Sequence, residues 1–251
     1  MFFKKNESIL SQYIADIMSG LMIIFMFISV SYMLEVFQER NNAIEQKNRA
    51  EREKQYVKNI AKQFEDTKYS IYEDLNKEFK NDLKAWNAEI DKETLSVRFK
   101  DPDIFFAVGE DKLQENFKNI LRDFFPRYIK LLSGKKYRNN IEEIRIEGHT
   151  SSEWARRDSG LTLEAYFKNM KLSQDRTRSV LEYVMTLDSM VKYRFFLIDK
   201  VTANGLSYSR RVFTKNGEED YKKSRRVEFR VRTTAEKHIE KILNGELNEV
   251  D

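Results

Sequence analysis

An uninterrupted apolar run near the N-terminus is the feature that most constrains the fold of this chain. Residues 13–37 are almost wholly apolar and include the proline-free stretch LMIIFMFISVSYML. A helix that crosses the hydrocarbon core of a bilayer needs about 20 such residues. We therefore predict a transmembrane helix over residues 13–37. The alternative is a cleaved signal peptide with Lys4 and Lys5 as its basic end, but the run is too long for one and contains an aspartate.

That aspartate, Asp16, is an ionisable residue within the apolar run. A charged residue at the centre of a membrane helix costs about 2.5–3.5 kcal/mol on insertion scales, and one near a helix end costs less. The residues alone leave two interpretations open. Asp16 either caps the helix at the membrane interface or carries an ion.

The charges on both sides of the apolar run leave its orientation undecided. Lys4 and Lys5, in the polar tail of residues 1–12, favour a cytoplasmic N-terminus. Five basic residues between positions 40 and 54 follow on the other side. Because long segments are translocated largely regardless of their charge, the nature of the C-terminal domain has to decide the orientation.

Residues 38–93 contain no glycine and no proline and are rich in charged and amide side chains, a composition typical of a long exposed helix. Val57, Ile60, Phe64 and Ile71 lie on a heptad seam, and a second apolar stripe, shifted in phase, continues over residues 75–90. We predict a helical stalk that forms a parallel two-chain coiled coil. The alternative is a single solvated helix that lies against another subunit.

Strand-like and helix-like segments alternate over residues 94–234, which predicts an α/β domain with a mixed sheet backed by helices. Strands are expected at 95–99, 141–148, 193–199 and 224–233. Helices are expected at 110–132 and 171–187, and residues 235–251 are expected to form a short polar helix and tail.

Several functional classes have no support in the sequence. The chain has no cysteine, which excludes disulfides, zinc–thiolate sites and thiol catalysis. Its histidines are His149 and His238, so we predict no metal site and interpret His149 as a hydrogen-bonded structural residue. No nucleophile–base set or phosphate loop is present, so no enzyme and no cofactor are predicted. A net charge of +4, without a basic helix interleaved with aromatics, argues against nucleic-acid binding.

Four segments of the globular region carry a family resemblance: 106–113 (FAVGEDKL), 146–150 (IEGHT), 169–176 (NMKLSQDR) and 225–228 (RRVE). In this order they make residues 94–233 similar to the peptidoglycan-binding domain of the OmpA family. The resemblance implies that this region binds peptidoglycan. The residues that it assigns to binding are Asn169, Leu172, Arg176, Thr150 and Arg225.

One position departs from the family pattern. The OmpA family normally has an aspartate directly after Gly-His-Thr, where this chain has Ser151. In the family, that aspartate and the motif arginine hold the amine and the carboxylate of the diaminopimelate residue in the stem peptide. Glu153 and Asp158 are candidates to replace the aspartate, and weaker or altered binding is the alternative.

Arg176 suits carboxylate recognition on chemical grounds as well. Its guanidinium offers a planar fork of donors that fits a carboxylate, and near a helix start it would lie beside free backbone N–H groups. The alternative is a surface arginine paired with Asp175 or Glu182.

The membrane segment carries a second resemblance. Residues 13–22 (YIADIMSGLM) are similar to the membrane helix of MotB-type stator subunits, in which the aspartate carries H⁺ or Na⁺. The resemblance implies a homodimer of this chain within a ring of a MotA-like membrane subunit, with five copies of that partner. It also implies a single-pass inner-membrane protein with a cytoplasmic N-terminus and a periplasmic C-terminal domain on peptidoglycan.

The short N-terminal tail and the segments 148–154 and 168–174 resemble most closely the B subunits of Zorya anti-phage defence systems, whose partner is a ZorA-type subunit. The expected function is therefore that of an anchored subunit of an ion-driven, most simply proton-driven, motor. A flagellar-type stator and a passive cell-wall tether are the alternatives.

Overall fold

A computed structural model describes residues 2–100, 105–107, 109–153 and 162–243 of the chain. The chain divides into two compact units, Met1–Lys58 and Asn59–Asp251. Each unit is described by itself below.

The first unit is helical. Helix α1 begins at Phe2 and ends at Phe79, so its first part makes up this unit. Every side chain described between residues 13 and 58 is exposed, including Met22 at 72% and Phe27 at 63%. Among the described residues, α1 is the one helix long and apolar enough to cross a membrane. The predicted apolar helix is therefore present, and the protein itself covers none of its apolar surface.

The last part of α1 belongs to the second unit and enters that unit's core. Ile71, Leu75 and Phe79 are fully buried. Their four-residue spacing places them on one face of the helix, which packs against the domain. The prediction that this apolar stripe faces a partner chain is wrong, because the chain's own core covers it.

The prediction of a helical stalk over residues 38–93 also extends the helix too far. Helix α1 stops at Phe79, and the chain turns into strand β1, Ala88–Asp91. Asn87, just before β1, has a positive φ of 48°, a conformation that asparagine tolerates better than most residues. Trp86 packs against Phe79 at a ring separation of 5.8 Å, which fixes the turn on the core. The coiled coil stays a prediction for the part of the seam that precedes Ile71.

The second unit contains a five-stranded mixed sheet in the order β1-β2-β5-β3-β4. All neighbours pair antiparallel except β3 and β4, which are parallel. The remaining elements, in chain order, are β2 (Ser96–Phe99), α2 (Glu115–Leu132), β3 (Ile141–His149), α3 (Leu163–Met185), α4 (Arg194–Lys200), β4 (Val201–Gly205), α5 (Tyr221–Ser224), β5 (Arg226–Thr233) and α6 (Thr234–Leu243). This architecture confirms the predicted fold class of an apolar helix followed by an α/β domain with a mixed sheet.

The two faces of the sheet differ in chemistry because successive side chains in a strand point to opposite sides. On the apolar face, Phe229 of β5 packs against Phe124 of α2 at 5.0 Å and against Phe99 of β2 at 6.0 Å. On the other face, Glu228 of β5 binds Arg98 of β2 at 2.8 Å. The aromatic layer supplies the core, and the charged layer lies on the opposite side.

One predicted strand is a helix. Residues 193–199 form the end of a 3-10 helix, Asp188–Tyr193, and most of α4. Phe196 and Leu197 are adjacent and both buried, whereas Phe195 is 90% exposed. Burial of consecutive residues does not alternate as it would in a half-buried strand, and β4 begins only at Val201.

Other boundaries differ as well. The helix expected to start near residue 171 begins at Leu163, where the Thr162 hydroxyl accepts a hydrogen bond from the Ala165 N–H at 3.2 Å and caps it. The helix expected from residue 110 begins at Glu115, and an antiparallel bridge joins Phe106 to Leu113 before it. Strands β2, β3 and β5 lie where they were expected.

Candidate functional site

Two glycines bring α3 directly against the ends of β3 and β4. A Cβ on Gly148 would lie 2.6 Å from Thr177 Cγ2, and a Cβ on Gly205 would lie 2.3 Å from the backbone nitrogen of Gln174. Neither position tolerates a side chain without movement of the helix. Gly148 therefore serves close packing within β3 and places the middle of α3 beside the loop after β3.

Hydrogen bonds hold this junction in place. The Ser207 N–H donates to Ser173 Oγ at 3.0 Å, and the Thr150 N–H donates to the Ser207 carbonyl at 2.9 Å. Asn169 is buried, and its amide donates to the Ala165 carbonyl at 3.0 Å within α3. Leu172 is half-buried on the same helix. These contacts fix the segment in which the predicted binding residues lie.

Arg176 lies in the middle of α3, not near its start. The expectation of free backbone N–H groups beside it is therefore wrong, since N–H groups in mid-helix are bonded within the helix. Its Nε donates to the Glu110 carbonyl at 2.8 Å, its Nη2 to the Ala107 carbonyl at 3.3 Å, and its guanidinium lies 4.9 Å from the ring centre of Phe106. These contacts hold the guanidinium in one orientation.

The alternative ion pairs of Arg176 are not formed. Asp175 binds Lys171 at 2.5 Å, and Glu182 binds Arg178 at 2.8 Å. No carboxylate within the described part of the chain lies at ion-pair distance from Arg176. Burial, together with the positive charge of Arg225, lowers the pKa of Arg176 to about 10, against the opposing effect of Asp111. A half-buried cation without a counter-ion is a natural place for an anionic ligand.

Arg225 contributes a second guanidinium and brings a carboxylate with it. Its Nη1 donates to Glu153 Oε2 at 2.7 Å and to Ser151 Oγ at 3.4 Å. Glu153 therefore supplies a carboxylate next to Ser151, the position at which the family pattern has aspartate. Asp158, the other candidate, lies outside the described residues.

The loop after β3 is firmly held. The Ser152 N–H donates to Glu219 Oε1 at 3.0 Å, and the Ser152 hydroxyl binds the same buried carboxylate. Next to it, the Thr150 hydroxyl is buried without a hydrogen-bond partner among the described residues. Buried hydroxyls are normally paired, so a ligand or water that reached this one would satisfy it.

Together these groups match a ligand that carries both a negative and a positive charge. Two guanidiniums can hold a carboxylate, the Glu153 carboxylate can accept from an ammonium group, and the Thr150 hydroxyl adds a neutral hydrogen bond. The structure thus brings together Arg176, Arg225 and Thr150, while Asn169 and Leu172 lie on α3 beside them.

A cluster that sequence reasoning missed lies on the charged face of the sheet. Glu147, His149 and Glu228 are buried, and their ligand-type atoms all lie within 4.8 Å of one another. Neither nitrogen of His149 has a hydrogen-bond partner in the described structure, so its interpretation as a hydrogen-bonded residue is wrong. Burial lowers the pKa of His149. Although burial of Glu228 opposes its ionisation, the charges of Arg226 and Arg98 lower its pKa to about 2.

Asp16 lies in the exposed apolar part of α1. Ser19 and Gly20 follow it at the spacing of one helical turn and so share its face of the helix. A Cβ on Gly20 would meet no atom within 4 Å. Among residues 13–58, no basic side chain lies within ion-pair distance of Asp16. The carboxylate is thus flanked by small residues that permit close approach of another helix.

No protein-family model matches the chain. A putative MotB-like protein from Desulfovibrio vulgaris is 21% identical, covering 68% of this chain and 94% of that one, with a TM-score of 0.43. The cell wall anchor of the T6SS from Pseudomonas aeruginosa is 22% identical, covering 63% and 96%, with a TM-score of 0.42. The periplasmic domain of Helicobacter pylori MotB is 16% identical, covering 61% and 87%, with a TM-score of 0.39.

A curated relative is much more similar in sequence. Zorya protein ZorB of Escherichia coli is 45% identical over 231 residues, which cover 91% of this chain and 90% of the relative. Identity at this level over nearly the whole of both chains includes both units of the structure. The chain therefore belongs to the family of Zorya protein ZorB.

Proposed function

We propose that this chain is the peptidoglycan-anchored, stator-like subunit of an ion-driven inner-membrane motor that acts in anti-phage defence of the Zorya type. The observation that carries the proposal is Asp16 on a fully exposed apolar helix, in a chain of the ZorB family. The proposed ion is the proton, with Na⁺ as the alternative.

The exposed apolar helix requires an apolar environment. Side chains such as Met22 and Phe27 are more than half exposed, and lipid or partner helices would cover them. In the proposed arrangement the chain crosses the inner membrane once, with a cytoplasmic N-terminus and the second unit in the periplasm. Two copies of the chain lie within a ring of five copies of a MotA-like, ZorA-type membrane subunit.

In this arrangement Asp16 alternates between a charged and an ion-loaded neutral form. A carboxylate can bind and release an ion within a mostly apolar wall because loading removes its charge. The small residues Ser19 and Gly20 beside it allow the partner helices to pass closely. Two copies of Asp16 would face different ring subunits, so that loading and release alternate as the ring turns.

The second unit would hold the cell wall. Arg176, whose guanidinium is fixed in orientation and has no counter-ion among the described residues, receives the ligand carboxylate, with Arg225 beside it. Glu153 takes the role that the family gives to aspartate and accepts from the ligand ammonium group, which replaces part of its bond to Arg225. Thr150 adds its hydroxyl, which has no partner in the part of the chain that the structure describes. A stem peptide of peptidoglycan that contains diaminopimelate carries both of these charges.

The decisive test is Asp16→Asn, which keeps size and hydrogen bonding but removes the ionisable group. We expect the variant to insert and to assemble with its membrane partner, but to conduct no ions and to give no protection from phage. Asp66→Asn is the matched control, because it makes the same change at an exposed position of α1 outside the apolar run. Normal protection by Asp16→Asn would contradict the motor and leave the passive tether.

A further inference from the structure

The buried cluster on the charged face of the sheet lies outside the proposed peptidoglycan site. Glu147 of β3 is directly opposite Glu228 of β5 in the antiparallel register. Like charges at directly opposed positions destabilise a sheet. Both residues are nevertheless more than nine-tenths buried, at 7% and 3% exposure, so their charges have to be offset by neighbouring groups.

The protein supplies arginine partners for the charge of only one of the two carboxylates. Arg98 and Arg226 both bind Glu228 at its Oε1 atom. Within the described residues, His149 is the one basic side chain at ion-pair distance from Glu147. Arg98 also binds Glu89 at 3.1 Å and Asp91 at 3.3 Å, so its charge is shared among several carboxylates. Glu147 therefore has no lysine or arginine partner among the described residues.

His149 is placed between the carboxylates without bonding to either. Its side chain is 2% exposed, and Nε2 lies 3.7 Å from Glu147 Oε2 and 3.9 Å from Glu228 Oε1. Both distances are too long for a hydrogen bond. Buried polar atoms are normally paired, which makes an unpartnered imidazole at this place unusual.

The spacing of the three groups fits a metal ion. A tetrahedral zinc ion with nitrogen and oxygen ligands at about 2.1 Å holds those ligand atoms about 3.4 Å apart. His149 Nε2 lies 3.7 Å from Glu147 Oε2, and the ligand-type atoms of the three residues all lie within 4.8 Å of one another, so a contraction of at most about 1.4 Å reaches that spacing. One imidazole with two carboxylates is a donor set that suits zinc better than magnesium or calcium, which prefer oxygen ligands alone.

We propose that Glu147, His149 and Glu228 bind one divalent transition-metal ion, with Zn²⁺ as the best match. Arg98 and Arg226 remain on Glu228 Oε1 and orient the carboxylate, as hydrogen-bonded neighbours of metal ligands commonly do, while its other oxygen, Oε2, binds the ion. The ion joins β3 to β5 at the point where β3 ends. Thr150 follows His149 directly, so the ion also fixes the start of the loop that carries Thr150 and Glu153.

The test uses the purified full-length chain in detergent. The protein is stripped with EDTA, incubated with ZnCl₂ alone and desalted, and its metal content and thermal unfolding are measured. We expect about one zinc ion per chain and a higher Tm. His149→Gln should weaken zinc binding at least tenfold. His238→Gln, which removes the chain's other imidazole, is the matched control and should bind as the wild type does.

Two further measurements keep the test decisive. If His149→Gln does not fold, Glu147→Gln takes its place, and cobalt added to the stripped wild type should give a visible absorption band that zinc removes. A wild-type chain that retains neither zinc nor cobalt would overturn the proposal, as would undiminished zinc binding by a folded His149→Gln variant. Phage protection is scored separately, so failure of the metal site leaves the motor proposal standing.

Discussion

The two parts of α1 carry apolar side chains along one continuous helix but bury them differently. Between residues 13 and 58 every described side chain is exposed, whereas Ile71, Leu75 and Phe79 are completely buried in the core of the second unit. An apolar face on a helix shows only that something must cover it. Lipid and partner helices would cover the first part, and the chain's own domain covers the last part.

This difference also separates the two proposed sites. The groups around Arg176 are already held in place by backbone carbonyls and by the loop after β3. Among residues 13–58, Asp16 has no such neighbours. The proposed peptidoglycan site can thus form within one chain, whereas the proposed ion site would need further copies or a partner.

The largest expected effect comes from truncating the buried part of α1. Phe79→Ala removes a fully buried ring that contacts Phe124 and Trp86, and such truncations cost about 3–5 kcal/mol. Urea unfolding of the second unit, followed by tryptophan fluorescence, measures the loss. Phe27→Ala is the control on the exposed part and should change this transition by less than about 0.5 kcal/mol. Equal effects of the two changes would mean that the regions do not differ as described.

The next effect concerns ligand binding by the second unit. Arg176→Ala should lower the affinity for isolated cell-wall sacculi about 10- to 100-fold, because a charge-assisted hydrogen bond contributes roughly 1.5–3 kcal/mol. Arg176→Lys should also bind less well, since an ammonium group has no planar fork. Co-sedimentation with sacculi measures both. Arg178→Ala, an exposed arginine on the same helix, is the control, and equal binding by all variants would contradict the site.

The patterns of individual segments explain which elements of this fold the sequence predicts. Strands β2, β3 and β5 were found because their side chains alternate, and the apolar run was found by its length. The turn after Phe79 was missed because the stripe Leu75, Phe79, Leu83 continues at helical spacing beyond the helix end. The strand predicted at 193–199 was wrong because a short apolar run does not distinguish a strand from a buried helix.

The candidate site was predictable only in part. Arg176, Thr150 and Arg225 came from motif resemblance, but nothing in the sequence indicated that Arg176 is held by the carbonyls of Ala107 and Glu110. The cluster around His149 could not be found because its members are joined by strand register. Glu147 and Glu228 are far apart in sequence, and their pairing depends on how β3 and β5 align.

A smaller effect is expected from glycine-to-alanine substitutions in the two regions. Gly205→Ala places a methyl group against the backbone of α3 and should destabilise the second unit by roughly 1–3 kcal/mol. Gly20→Ala meets no atom within the chain, so the same unfolding transition should not move. Ion flux by the assembled complex should nevertheless fall in Gly20→Ala if partner helices pass closely beside Asp16. A stable Gly205→Ala variant would show that α3 does not lie as close to β4 as described.

The smallest expected signal is a crosslink along the seam that remains for a coiled coil. Ile60 is only 7% exposed in the single chain, whereas Val57 is 39% exposed and available to a second copy. The chain has no native cysteine, so Val57→Cys introduces a single thiol. In a parallel dimer the two thiols would face each other, and mild oxidation in membranes should give a partial yield of disulfide-linked dimer on non-reducing gels.

Lys58→Cys, one residue off the seam, is the control and should crosslink less, because adjacent helical positions point about 100° apart. Equal yields would indicate collision between chains, and no crosslink at Val57 would exclude a coil at this position and leave the lone-helix alternative.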